Sequence, residues 1–255
     1  VILWAFNACV ALYLLAPVLV VATTAFTTTA YPVFPPRGVT LRWFEAVLTS
    51  REFLDAMRTS AVLAGASTAI ATVLGTLAAL GLARGRFRGQ QAVAAVFLSP
   101  IFFPAIVLGL ALLIFYTRVG LAGTLSGMIA AHAVLTTPFV IRMVTASLSE
   151  FDPAVEEAAE NLGAGTLRTF FLVTLPLIRP GVVAGAVFAF ILSFDELVVS
   201  LFLAGPGLQT LPIRIFTALE YSSRPDVSAV STLLILVWLL VGVPLYARFL
   251  DVRHA

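Results

Sequence analysis

Residues 147–179 read SLSEFDPAVEEAAENLGAGTLRTFFLVTLPLIR. This polar run sits between long apolar stretches, and its reading decides what surrounds it. Asp152-Pro153 is a helix start: the carboxylate accepts from free backbone N–H groups, and proline suits the first helical position. Glu156, Glu157 and Glu160 then favour the positive N-terminal end of the helix dipole. Leu162-Gly163 is a stop, because glycine takes the left-handed conformation without steric cost. Thr166 caps a second helix that carries Leu167, Phe170, Phe171 and Thr174 and ends near Leu175-Pro176. The expected product is two short helices joined at a glycine. It is a rigid projection between membrane spans, shaped as a docking knuckle for a partner outside this chain.

The apolar surroundings set the class. The chain is 60% hydrophobic and 11% charged, against about 25% charged in an ordinary soluble domain. Too few charges remain to cover a water-facing surface, so an all-α polytopic membrane protein is expected. All 15 basic residues are arginine. Without lysine there is no Walker A loop and no lysine Schiff base. The arginines are scattered between apolar runs, as headgroup contacts and topology signals are, so nucleic acid is not an expected partner. Cys9 is the only cysteine, which leaves no intrachain disulfide and no thiolate metal site.

A span needs roughly 20 apolar residues. Six transmembrane helices are expected at about 2–26, 58–82, 91–115, 124–146, 180–203 and 227–249. The first apolar run exceeds the roughly 7–15 residues of a signal-peptide core, so it counts as a span. The chain opens on Val1, and a few residues are expected to precede it. Arg84, Arg86 and Arg88 fill one short loop while only Arg118 lies in the next. That asymmetry places the 84–88 loop, the termini and 147–179 in the cytoplasm. The second span is rich in small residues such as Gly65, Ser67, Ala71 and Gly75, which let helices approach closely in lipid. Pro100 and Pro104 interrupt the third span and Pro138 the fourth. Outside, Leu41, Phe44, Val47 and Leu48 mark one face of an amphipathic helix over 40–57, and Leu211, Ile215 and Leu219 align on another short helix.

The knuckle carries a family resemblance. Glu157-Ala158-Ala159, Gly163, Val173 and then Leu175-Pro176 resemble the EAA loop of ABC-importer permeases, with Val173 where that pattern usually has Ile. The resemblance implies a type I ABC-importer permease fold: one transmembrane permease domain over 1–255, with 147–179 as its cytoplasmic coupling loop. It implies that Glu157 contacts an ATP-binding subunit, that Gly163 forms the turn, and that Leu175-Pro176 leads into the fifth span. The implied partners are two ATP-binding subunits, a second permease subunit and an extracytoplasmic solute-binding protein, in a bacterial inner membrane. Leu41-Arg42-Trp43-Phe44 with Phe53, Ala56 and Ser60 is similar to the first outer loop of polyamine-type permeases. So is Ser193-Phe194-Asp195-Glu196 followed by 204–207 and 210–212. The spermidine/putrescine subgroup, and its second permease subunit, is the implied subclass. Permeases for opines and other small solutes share the Ser-Phe-Asp-Glu segment.

Asp195 and Glu196 fall inside the fifth expected span. A carboxylate there faces a cavity, a substrate path or a partner group, because lipid does not solvate it. Either they present negative charge to a cationic solute, Asp195 ahead of Glu196, or they bind an Arg or backbone donors at a helix interface, or they lie close to the outer surface. Phe190 and Phe194, one turn apart, are an aromatic wall or ordinary packing. His132 has no second ligand at i+4, only Thr136, so helix packing is expected over a metal site. No nucleophile–base or paired-carboxylate arrangement appears, which argues against an enzyme, and no cofactor is expected. A secondary transporter and a non-transporting membrane anchor are the competing classes, but neither needs the coupling loop.

Overall fold

The computed structural model describes residues 2–222 and 224–252. Among them every regular element is helical. The chain divides into two compact units, residues 57–212 and the flanking segments 1–56 with 213–255.

The flanking unit begins with α1 (Ile2–Thr24), an apolar helix with large exposed side chains such as Trp4 and Tyr13. Thr24 Oγ1 donates to Ser228 Oγ at 3.2 Å, on α12 (Asp226–Val252). The expected amphipathic helix at 40–57 is instead α2 (Arg42–Thr49), a stop at Ser50, and the start of α3 (Arg51–Arg84). Its buried face differs too. Trp43 and Val47 are buried, while Leu41 and Leu48 are exposed. Trp43 decides the rotation, because its indole N–H donates to the Thr27 carbonyl at 2.8 Å, a bond that needs the ring inside.

In the central unit α3 presents small residues inward. Ala64, Ser67, Ala71, Gly75 and Ala79 are buried, whereas Val73, Leu74 and Leu77 on the other face are exposed. The expected third span is not one rod. α4 (Gln90–Leu98) runs through a tight turn at Ser99–Ile101 and meets α5 (Ala105–Val119) at a bend of 103°. Pro104 has extended backbone, ψ 134°. It lacks an N–H and disfavours helical geometry at Phe103. α6 (Leu125–Ser149) stays continuous through Pro138, with Thr124 Oγ1 capping its first turn.

The central packing is α6 against α9 (Leu175–Asp195). Glycines make it close. A Cβ at Gly181 would stand 2.6 Å from Ser147 Cβ, and one at Gly75 on α3 would stand 2.7 Å from Val140 Cβ. Val140, Val144, Leu148 and Ile178 fill the resulting core with Ala71 and Ala79. The second knuckle helix does not end at Leu175-Pro176. α8 (Thr166–Thr169) widens into a π-turn at Phe170–Thr174 and continues into α9. The wide turn accommodates Pro176, which supplies no N–H to a tighter ladder. α9 stops at Asp195, and α10 (Val198–Leu203) follows, so the expected span over 180–203 is broken. α10 packs on α5, where Gly109 leaves room for Phe202. α11 (Leu211–Tyr221) completes the elements, its first backbone N–H held by Ser60 Oγ at 2.8 Å. Six helical segments therefore correspond to the six expected spans: α1, α3, the α4–α5 pair, α6, α8–α9 and α12.

Candidate functional site

The knuckle is built as local chemistry dictates. α7 (Ala154–Asn161) starts where Asp152 Oδ1 accepts the Ala154 N–H at 2.9 Å. It ends in a Schellman arrangement: Ala164 N–H reaches the Ala159 carbonyl at 3.1 Å and Gly163 N–H the Glu160 carbonyl at 2.9 Å. Gly163 has φ +91°, the left-handed turn expected of it. Glu157, Ala158 and Gly163 are exposed, Ala159 is half-buried, and Leu162 stands 91% exposed. Across the π-turn, Val173 and Leu175 are half-buried and Pro176 is exposed. The knuckle thus offers a carboxylate and an apolar tip left uncovered among the described residues.

Glu156, which the sequence marks only as a dipole-compatible charge, fastens this helix down. Its Oε2 lies 3.0 Å from Arg84 Nε, and its Oε1 accepts from Thr174 Oγ1 at 2.6 Å. Arg84 in turn lies 5.0 Å over the Phe151 ring. No local pattern reveals these partners, 72 and 18 positions away. The ion pair also fixes topology within this unit. The end of α3 and the start of α7 share one side. α6 separates α5 from α7, so the α4–α5 pair must cross to the far end of α6. By length and composition the bent pair is a broken span or a re-entrant loop, and the shared side of Arg84 and Glu156 favours the broken span.

At the other end of α9, about 30 Å along the helix at 1.5 Å per residue, lies a cavity of about 180 Å³. Pro100, His132, Thr136, Phe139, Ser193 and Glu196 are among its walls. His132 is fully buried, and both ring nitrogens meet hydroxyls: Nδ1 with Ser193 Oγ at 2.9 Å, Nε2 with Ser200 Oγ at 3.0 Å. Ser193 also meets Ser67 Oγ at 2.9 Å. One side chain of α6 thereby ties together α9, α10 and α3, a packing role. Glu196 is not helical. Its Oε1 accepts the Val199 N–H at 2.8 Å and caps α10, while the residue borders the cavity. Asp195 is exposed on the last turn of α9. Phe194 is half-buried, its ring stacked on Phe190 with centroids 5.9 Å apart. The structure therefore brings Glu196, not Asp195, together with His132 and Ser193. Among the described residues no group of His, Cys, Asp and Glu could hold a metal.

The family described as the binding-protein-dependent transport system inner membrane component matches residues 71–253. The chain belongs to this family. As an inner-membrane transport component it is a multi-pass permease, and the work of hydrolysing ATP belongs to another subunit. It is 33% identical to the putrescine transport system permease protein PotI of Escherichia coli (strain K12), over 95% of this chain and 92% of that protein. It is 31% identical to the spermidine/putrescine transport system permease protein PotC of the same strain, over 90% and 86%. A solved bacterial ABC transporter that imports alginate superposes with TM-score 0.73 at 15% identity, covering 99% of this chain and 94% of that one. A chain of the MetNI methionine ABC transporter gives TM-score 0.60 at 22% identity, over 81% and 99%. These likenesses establish the type I ABC-importer permease fold.

Proposed function

We propose that this chain is one of two permease subunits of an ATP-driven importer that moves a polyamine of the putrescine or spermidine class into the cytoplasm. The observation that carries it is the 33% identity to a putrescine permease along 95% of the chain. Two ATP-binding subunits, a second permease chain and an extracytoplasmic solute-binding protein complete the assembly. Both termini and residues 147–179 lie in the cytoplasm. Glu157, Ala158, Ala159 and the turn at Gly163 form the docking face, and Val173, Leu175 and Pro176 join it to α9. ATP-driven closure of the partner dimer displaces α7, and the path alternates between outward and inward access. Asp195 and Glu196, with Phe194 beside them, supply negative potential and an aromatic surface to a polycationic solute.

A second substrate has a specific observation in its favour. The chain is 29% identical over 208 residues to a putative 2-aminoethylphosphonate permease. That solute carries a phosphonate, which two carboxylates at the path repel. Equilibrium binding to the solute-binding protein that works with this permease separates the two. Tight binding of putrescine or spermidine supports the proposal. Binding of 2-aminoethylphosphonate with no polyamine affinity overturns the substrate assignment.

A further inference from the structure

Glu156 holds three segments to one carboxylate. Arg84, the last residue of α3, meets one oxygen at 3.0 Å, and Thr174, at the end of the π-turn, donates to the other at 2.6 Å. Phe151, just beyond α6, lies against the same guanidinium. The Glu156 side chain is 18% exposed, while Glu157 and Glu160 on the same helix are exposed. α7 also packs on α8 and the π-turn, but Glu150–Pro153 and the Gly163–Gly165 turn are its only covalent links to the bundle, and among the described residues Glu156 is its only side chain tied to α3. The π-turn beside it is a place where helical geometry already gives.

We propose that Glu156 is a positioning residue that bolts the coupling helix to α3 and α9, so that a displacement of α7 moves those helices instead of being absorbed in the linkers. The proposal rests on the reading of 147–179 as the ATPase-docking loop. Glu157 and Leu162 face the partner; Glu156 faces inward and transmits. An isolated exposed ion pair contributes little, but here the acceptor is shared, partly buried and braced by an aromatic face. Loss of the bolt uncouples without undocking. The ATPase stays attached, yet the signal from the solute-binding protein no longer reaches it.

The test uses the complete importer in proteoliposomes. Two quantities are read: the ratio of ATPase rates with and without putrescine-loaded solute-binding protein, and cross-linking of Leu162→Cys to the ATP-binding subunit. Glu156→Arg and Arg84→Glu are each expected to lower the stimulation ratio about tenfold with cross-linking retained. The double exchange restores most of it, and Arg84→Lys restores part. Wild-type ratios in both single variants, or a double exchange no better than the worse single one, overturn the bolt. Should the reversals fail to assemble, Glu156→Gln is decisive. It keeps an acceptor for Thr174 and removes the ion pair, so a wild-type ratio overturns the proposal and a lowered one supports it. Absence of the Leu162 cross-link in the otherwise unmodified importer defeats the docking reading instead, which separates the two failures.

Discussion

Gly163 has φ +91°, and a Cβ added there meets nothing within 4 Å. Space is free, so any penalty is purely conformational, roughly 1–2 kcal/mol for a residue forced into the left-handed region. Gly163→Val is expected to open the turn and to lower binding-protein-stimulated ATPase activity of the assembled importer about 5–30-fold. Gly163→Asn, which tolerates that region, is milder. Glu157→Lys leaves membrane insertion intact, since the residue is exposed, but abolishes stimulation. Full stimulated activity in both Gly163→Val and Glu157→Lys removes the docking assignment. The acids at 195 and 196 separate by the same logic. Glu196 already spends one oxygen on the Val199 N–H, and Gln at 196 keeps that cap. Glu196 borders the cavity and Asp195 does not, so Glu196→Gln is expected to weaken polyamine uptake more than Asp195→Asn, by about 1–3 kcal/mol for a charge-assisted contact, with complex yield unchanged. Unaltered uptake in Glu196→Gln, or uptake and yield falling together, takes Glu196 off the path. The Asp152 cap and the Gly163 turn were legible because both are local chemistry. The inward turn of Glu156 was not, because Arg84 and Thr174 reach it only through the packing of α3, α7 and the π-turn.

The helices themselves were legible from apolar length alone, and all six expected spans have helical counterparts. Their irregularities were less so. Pro100 and Pro104 announce an interruption, but the 103° bend depends on Pro104 taking extended backbone together with the tight turn at 99–101. The run from Thr166 to Asp195 looked like two helices because Leu175-Pro176 resembles a stop; a π-turn carries the chain through it. The break after Asp195 falls where Ser193, Asp195 and Glu196 interrupt the apolar run, and the capping carboxylate of Glu196 marks it. Small residues told only part of where helices meet. A Cβ added at Gly181 would stand 2.6 Å from Ser147 Cβ and 2.7 Å from the Met143 carbonyl oxygen, whereas one at Gly65 would meet nothing within 4 Å. Gly181→Ala is thus expected to force α9 off α6 and destabilise by about 1–3 kcal/mol. Gly65→Ala should be neutral or raise stability by about 0.4–1 kcal/mol. Thermal melting of the detergent-solubilised chain reads both. An unchanged melting temperature in Gly181→Ala means that the α6–α9 packing is looser than the structure shows.

For the molecule as a whole, the decisive quantity is which side of the membrane each end of α6 occupies. α6 is 25 residues long, about 37 Å at 1.5 Å per residue, enough to cross a core of about 30 Å. Val119, at the end of α5, precedes it, and the knuckle follows it. The Arg84–Glu156 pair ties the 84–88 loop to the knuckle side, and the arginines of that loop favour the cytoplasm. Cys9 is the only native thiol, so Cys9→Ser gives a background for single-cysteine labelling. With a membrane-impermeant maleimide on sealed right-side-out vesicles, Val119→Cys is expected to label and Leu162→Cys to remain silent until the membrane is permeabilised. Both positions are at least half exposed, Val119 at 50% and Leu162 at 91%, so silence reports sidedness and not burial. The inverse pattern places the knuckle outside, where no ATP-binding subunit can reach it, and the coupling proposal falls with the orientation. Labelling of both from the same side contradicts a membrane-crossing α6, and with it the deduction that the bent α4–α5 pair is a broken span. The expected pattern leaves one arrangement: a loop of arginines and a docking helix on the ATP side, joined through Glu156, with α9 running from them toward the carboxylates at its far end.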